Sequence, residues 1–372
     1  MKILISSQDF WFWPTTQMFA FIKHLFLNWF NWTIFLKRNK STEIFLENFL
    51  AENQFIKNIF LIDTSDWLFD AYIWFYDPEI IFEANKKNKI SYFICNLTYL
   101  WEDDFVTKYQ NISSINDFDI NKISNHHEMI ILWYLLADKV FIRITDNIDK
   151  EWKLYKAIKD KTNFLWPIIY PKLYKGKPWN YALVQLWWQV NPLSNNLFYE
   201  TYFYLVKKII SNIDKEKVIV VNPLLFDIAK SIFRWYKLVK TTSQENYQRI
   251  LSQSSLIMSP FWINSFFESA LYDVPTFILP EQHIWHTKSI ISYFDNFDNI
   301  RKCSFTFFNY CPYKFSWDNE KDFIDYLQNS YLSLIEKNID LNIDVWFNIM
   351  NKFWYYDIIN KDIDLLIKDF IE

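Results

Sequence analysis

The sequence predicts an α/β chain built on two parallel, doubly wound sheets, and three observations predict it. Its 372 residues fit two domains of about 150 residues each plus a tail. Short runs rich in Ile, Val and Phe alternate with helical stretches through both halves, the pattern of strands joined by crossover helices. Between the halves, Leu165-Trp166-Pro167 to Pro178-Trp179 holds Pro167, Pro171, Gly176 and Pro178 and reads as a domain end and linker. The expected organisation is a first domain over 1–170, a linker over 171–180, a second domain over 181–340, and C-terminal helices over 341–372 that pack back on the first domain.

In the first half, Lys2–Ser6 is a buried strand and Thr16–Leu27 a helix. Thr33–Leu36 is a strand after the turn Asn31-Trp32, Glu43–Glu52 is helical, and Ile59–Asp63 is the third strand. Asp66–Tyr72 and Asp77–Asn85 read as helix and loop, with Asp77-Pro78 as a start signal. Lys89–Asn96 is then the fourth strand, Leu97–Asp119 a polar irregular stretch, Met129–Leu136 an apolar helix and Lys139–Ile144 a strand. The second half offers five strands: Tyr181–Leu186, Lys217–Val221, Tyr236–Val239, Ser255–Met258 and Thr276–Leu279. Helices Leu197–Ile213, Phe226–Phe233 and Gln244–Leu251 separate the first four. Ser289–Phe294, Glu320–Ile335 and Asp344–Ile371 read as further helices.

Composition excludes several functions. A net charge of −4 and a pI near 5.8 give no electrostatic case for nucleic acid. Cys95, Cys303 and Cys311 form neither a disulfide framework nor a metal-ligand spacing. Met1-Lys2 runs directly into a strand, so no signal peptide is expected, and no apolar run reaches about 18 residues, so no transmembrane helix is expected. The expected location is cytoplasmic. The very apolar Met18–Phe30, around Lys23 and His24, leaves peripheral membrane contact open, with a buried helix the simpler reading.

Glycine usage is abnormal. The chain has 1 Gly and 19 Trp, whereas ordinary usage of about 7% predicts roughly 26 glycines. Turns that need positive φ have few substitutes for glycine. The tryptophans sit at punctuation points: Trp11 and Trp13 in DFWFWP, Trp32 in FNWT, Trp166 in LWP, Trp179 in KPWN, Trp187-Trp188 in QLWWQVNP and Trp262 in PFWIN. Read as glycine, each becomes an ordinary turn or helix entry. Trp67, Trp101 and Trp317 alone sit where tryptophan is natural. With five Arg among 39 basic residues and abundant Asn, Ile, Phe and Tyr, the bias is that of A/T-rich codons. The expectation is a lineage that reads UGA as glycine. The alternative is a truly tryptophan-rich chain such as an aromatic carbohydrate binder.

Chemistry concentrates in Met258–His286, MSPFWINSFFESALYDVPTFILPEQHIWH. A short strand ends in Ser259-Pro260, a turn leads to a helix carrying Glu268, and Asp273-Val274-Pro275 breaks that helix. A second strand then ends at Pro280 before Glu281, Gln282, His283 and His286. Strand, tight turn and helix N-terminus present orphan amides and a favourable dipole to a diphosphate. Elsewhere, Asp9 lies at the end of the first strand, where it serves equally as a base or as a turn former. His126-His127-Glu128 reads as a helix start with an acidic residue and exposed histidines. Adjacent residues share no helix face, so a metal site there is not expected.

The segment resembles the nucleotide-sugar-binding stretch of GT-B glycosyltransferases, the group that includes MurG and the macrolide-type transferases. Trp262 stands where that family has glycine, and Asp273 where it has another. The first loop, read as D-F-G-F-G-P-T-T, is similar to the family's glycine-rich turn, but Pro14 occupies the place of its histidine base. The resemblance implies two Rossmann-like domains facing each other across a cleft. It implies donor binding by Trp187, Trp188, Trp262, Asn264, Ser265, Glu268 (on the ribose hydroxyls), Glu281 and Gln282 (on the donor sugar), with Asp9 as candidate base. The implied reaction moves a sugar from a nucleotide-diphosphate sugar to an acceptor hydroxyl, with no metal and no further cofactor; the acceptor, whether glycan, lipid or small molecule, is open. The alternatives are a sugar-nucleotide epimerase of the same fold and a non-catalytic nucleotide-sugar or carbohydrate binder.

Overall fold

The computed structural model describes residues 1–7, 12–28, 30, 32–63, 68–75, 79–95, 103–117, 119–123, 126–143, 151–165, 168–176, 181–186, 216–221, 223–240, 243–260 and 276–279, with isolated residues between 200 and 211 and between 268 and 274. The chain divides into two units, with the break between Pro171 and Lys172.

In the first unit the order is β1 (Lys2–Ser7), α1 (Phe12–Leu27), β2 (Thr33–Lys37), α2 (Lys40–Glu52), β3 (Ile59–Ile62), β4 (Ala71–Phe75) and α3 (Glu79–Lys86). β5 (Ile90–Cys95), α4 (Asp103–Tyr109), α5 (His126–Leu136), β6 (Lys139–Arg143), α6 (Lys153–Ile158) and β7 (Thr162–Leu165) follow. The strands form one sheet in the order β3-β2-β1-β4-β5-β6-β7, every pairing parallel. Sheets covered on both faces need strands that are apolar throughout. That is why β1 is buried at five consecutive positions and β4 at all five.

In the second unit β8 (Tyr181–Leu186), β9 (Glu216–Val221), α7 (Phe226–Ile232), β10 (Lys237–Lys240), α8 (Gln244–Leu251), β11 (Leu256–Pro260) and β12 (Thr276–Leu279) are in place. Their sheet runs β10-β9-β8-β11-β12, again all parallel.

Three sequence readings are corrected and one strand is added. Ala71–Phe75 is a strand, not the end of a helix, so Ile90–Cys95 is the fifth strand and not the fourth. A five-residue apolar run carries no periodicity of its own, and tertiary pairing decides its state. Here Asp70 anchors the strand start: its carboxylate accepts from the Lys2 amide at 2.7 Å, and its amide donates to the Lys2 carbonyl at 2.8 Å. Within the stretch read as irregular, Asp103–Tyr109 is helical. Thr162–Leu165, unassigned in the sequence except for Leu165 at the head of the linker, is an edge strand paired with β6. Helix α1 begins at Phe12, so Pro14 occupies its first turn, where a missing N–H costs nothing.

Packing follows the crossovers. Helix α1 rests on β1, β4 and α2, while α3 and α5 pack together and α3 covers β4 and β5. Phe19 stacks near Phe45 and Phe49 between α1 and α2. On α1, Lys23 is buried with its ammonium donating to Asn53 Oδ1, and the His24 ring lies 3.0 Å from the Ile169 carbonyl. Met18–Leu25 is therefore a buried helix face. Among the described residues no helix is long and apolar enough to cross a membrane.

Candidate functional site

Open parallel sheets bind ligands beyond the carboxyl ends of their strands, at the point where strand order reverses. In the first sheet the reversal lies between β1 and β4, in the second between β8 and β11. Register sets the neighbouring ends side by side: Ser7 pairs with Phe75, and Val184 pairs with Met258, two residues short of Leu186 and of Pro260. The segments holding Trp187-Trp188 and Trp262-Asn264-Ser265 are thus fed from adjacent strand ends.

Beneath the first reversal lies a hydroxyl cluster that sequence reasoning missed. Ser7 Oγ is 2.9 Å from Thr15 Oγ1 on α1 and 3.4 Å from Thr42 Oγ1 on α2, and all three are buried. Asn39 caps α2, its Oδ1 accepting from the Thr42 amide at 2.7 Å, and its Nδ2 donates to the Ser7 carbonyl at 2.7 Å. A side-chain cap satisfies one of the orphan donors of the first turn, and here it also ties the turn to the end of β1. The signal was available: serines at the last two positions of an otherwise apolar strand.

Beneath the second reversal, Gln185 of β8 accepts from the Tyr247 hydroxyl of α8 at 3.3 Å. Gln244 and Gln248 turn to the same buried face of α8 as Tyr247. Both amide atoms of Gln248 are buried without a hydrogen-bond partner. Ser243 caps this helix, accepting from the Asn246 amide at 2.9 Å.

Of the residues singled out from sequence, Glu268 falls within the described ones. Asp9, Trp187, Trp188, Trp262, Asn264, Ser265, Glu281 and Gln282 lie outside them, as do the side chains of His126 and His127. Residues 268 and 269 are helical, and the Glu268 carboxylate is buried, with 7% of the residue exposed. Burial chiefly, and the Glu268 charge in addition, push the Tyr272 hydroxyl up to about 12. Tyr272 Oη accepts from the Leu173 amide at 3.3 Å, and the Tyr272 and Val274 amides donate to the Ser269 carbonyl. Glu268 is thus held in a packed helix end rather than on a solvated face.

Within the His126-His127-Glu128 stretch, Glu128 forms a structural clasp. Glu128 Oε1 accepts from Lys108 Nζ at 2.6 Å and from the Tyr109 hydroxyl, fastening α5 to α4. Burial pushes the Glu128 carboxyl up, but the bonds from Lys108 and Tyr109 outweigh it and hold the group below the usual carboxylate range. A depressed folded-state value gives stability that is present above the unfolded value and lost as pH falls. Glu128→Gln is expected to lower stability at neutral pH by about 1–2 kcal/mol and to flatten the acid limb of a denaturation profile. An unchanged acid limb contradicts the clasp. Among the described residues no group of three His, Cys, Asp or Glu side chains is placed to hold a metal ion.

No family model matches the chain, and no curated protein matches it. Solved structures do. Medicago truncatula UGT71G1 complexed with UDP-glucose aligns over 99% of this chain and 98% of its own at 11% identity and a TM-score of 0.56. Arabidopsis thaliana UGT89C1 complexed with UDP-L-rhamnose aligns over 99% and 98% at 9% identity and a TM-score of 0.54. Methanocaldococcus jannaschii UDP-GlcNAc 2-epimerase covers 75% of this chain and 84% of its own at 11% identity and 0.46, too distant to weigh on the comparison. At these identities the likeness is one of fold: the chain has the GT-B fold of two Rossmann-like α/β domains.

Proposed function

We propose that the chain is a glycosyltransferase that moves a sugar from a nucleotide-diphosphate sugar to an acceptor hydroxyl. The observation that carries the reading is the reversal of strand order between β8 and β11, which sets the ends of both strands beside one another just ahead of the two candidate phosphate loops. The GT-B fold and the UDP-sugars named with two solved structures of similar fold support the donor class.

In this reading the acceptor oxygen attacks the anomeric carbon, the bond from that carbon to the phosphate oxygen breaks, and the nucleoside diphosphate leaves. The acceptor proton passes to a base, for which Asp9, two residues past β1 in the sequence, is the candidate. Backbone amides of residues 262–265 are the candidates to meet the charge that grows on the leaving phosphate. Donors fixed in place before reaction help most where charge develops, about 10²–10³-fold per donor in measured cases. Glu268 accepts from the ribose hydroxyls, and Glu281 and Gln282 bind the donor sugar. No metal has a role in this scheme.

Protein purified from its own cells, incubated with nucleotide-diphosphate sugars and an acceptor panel, is expected to yield glycosylated acceptor and free nucleoside diphosphate. A new sugar released without acceptor would instead mark an epimerase. Saturable binding with no turnover across the panel would mark a non-catalytic binder.

A further inference from the structure

We infer that most of the 19 tryptophans are UGA codons which the source lineage decodes as glycine, so that the protein its ribosomes make carries glycine at these turns and close contacts. The inference does not depend on the glycosyltransferase reading. It begins from 1 Gly in 372 residues, and Trp74, Trp152 and Trp235 extend it, because their surroundings do not suit an indole.

Trp235 sits in the turn between α7 and β10. The Tyr236 amide donates to the Phe233 carbonyl at 2.8 Å, so Trp235 is the third residue of a four-residue turn. It is 82% exposed, with the neighbouring Arg234 guanidinium 5.1 Å from its ring. Trp235 is not in left-handed backbone, so its exposure, and not its φ, sets the position apart. An indole there leaves most of its apolar surface in water.

Trp152 holds the N-cap of α6, with φ −59° and ψ 135°. Its carbonyl takes the first helical bond, from the Lys156 amide at 3.0 Å. The cap is a position for Ser, Thr, Asp, Asn or Gly. Indole has a donor and no acceptor, so it cannot satisfy an N-terminal amide.

Trp74 lies within β4, fully buried, with no hydrogen-bond partner for its indole N–H. Its ring lies face to face with Phe93, centroids 3.4 Å apart and planes within 6°. Aromatic pairs keep about 4.5–7 Å and avoid this sandwich. It also meets Trp133 of α5 edge-on at 5.7 Å. Two of the largest side chains thus oppose each other across a helix–strand contact, where glycine lets the backbones approach.

The one encoded glycine has no such need. A Cβ at Gly176 would lie 3.6 Å from the Ser252 carbonyl oxygen and 3.8 Å from that of Tyr272, ordinary contact distances. Among the described residues, left-handed backbone is met by Asn88 at φ 49°. There, just past α3, the Lys89 amide returns to the Ala84 carbonyl at 2.9 Å. The consequence for the second sheet is direct. With glycine at positions 187, 188 and 262, the chain just past β8 and β11 has amides with no side chain beside them to block an anion.

The test reads the gene and the protein together. Codons at the 19 positions are determined, and peptides of the protein purified from its own cells are sequenced by mass spectrometry. The expected result is UGA with glycine in the peptides at 74, 133, 152, 187, 188, 235 and 262, and UGG with tryptophan at 67, 101 and 317. UGG at 74, 152 and 235, or tryptophan in those peptides whatever the codon, overturns the inference. Glycine in the peptides of a protein that binds no nucleotide sugar leaves the inference standing and removes the functional proposal instead.

Discussion

Replacing Glu268 by alanine is expected to lower affinity for a nucleotide-diphosphate sugar about 100-fold, or about 2.7 kcal/mol, with little change in melting temperature. Hydrogen bonds to a charged partner are worth about 1.5–3 kcal/mol net, and a carboxylate facing two ribose hydroxyls has two to lose. The residue is 7% exposed, so water recovers little of that loss. Glu268→Gln keeps one acceptor oxygen and is expected to fall between the two. Tyr272 reports that the helix end is intact. Its hydroxyl, pushed up to about 12 mainly by burial, shifts downward when the nearby charge is removed but stays above its ordinary value. Retained affinity in the alanine variant, with that tyrosine shift observed, removes Glu268 from the site.

The second large effect is on stability. Lys161 Nζ donates to the carbonyls of Leu135 and Ala137, each at 2.6 Å, and so closes the C-terminus of α5. Those carbonyls are among the four that a helix end leaves without internal partners. Burial pushes the Lys161 ammonium down to about 8, against the opposing charge of Asp138. Lys161→Met is expected to destabilise by about 2 kcal/mol, because stranding buried acceptors costs about 1–3 kcal/mol. The pH dependence has a definite sign. Between about 8 and the unfolded value near 10.4, the unfolded chain binds the proton and the folded chain does not. Stability from this group therefore rises with pH across that window and is lost as pH falls through it. Urea denaturation from pH 7 to 10 is expected to show that rise in the parent and not in Lys161→Met. Parallel profiles for the two proteins contradict it.

Fold and site were legible to different degrees, for physical reasons. Tyr181–Leu186, Gln244–Leu251 and Thr276–Leu279 were read with the bounds the structure has. Their apolar runs are bounded by turn residues, and the helix keeps its buried face at Gln244, Tyr247, Gln248 and Leu251. Ala71–Phe75 was missed because its strand state depends on pairing with β1 and β5, which no local pattern announces. The Ser7–Thr15–Thr42 cluster was missed because its members are 8 and 35 residues apart. Each alone is an ordinary polar residue at an element's end. His126-His127-Glu128 was read as a helix start, and Glu128 does lie in the first turn of α5, but its tie to Lys108 and Tyr109 is a contact between two helices that no reading of one segment predicts. Glu268 stood out only because the surrounding motif resembles a known one. Its burial against Tyr272 could not be read from spacing.

The central claim is that a donor diphosphate is held by bare backbone amides where β8 and β11 end side by side. Calorimetric titration of a nucleotide-diphosphate sugar panel tests it most directly, using two proteins that differ at positions 187, 188 and 262 alone, one with glycine there and one with tryptophan. The claim predicts saturable one-site binding to the glycine form for at least one donor, and affinity at least 100-fold weaker in the tryptophan form. Equal affinity in the two forms, or no binding by the glycine form to any donor, contradicts it.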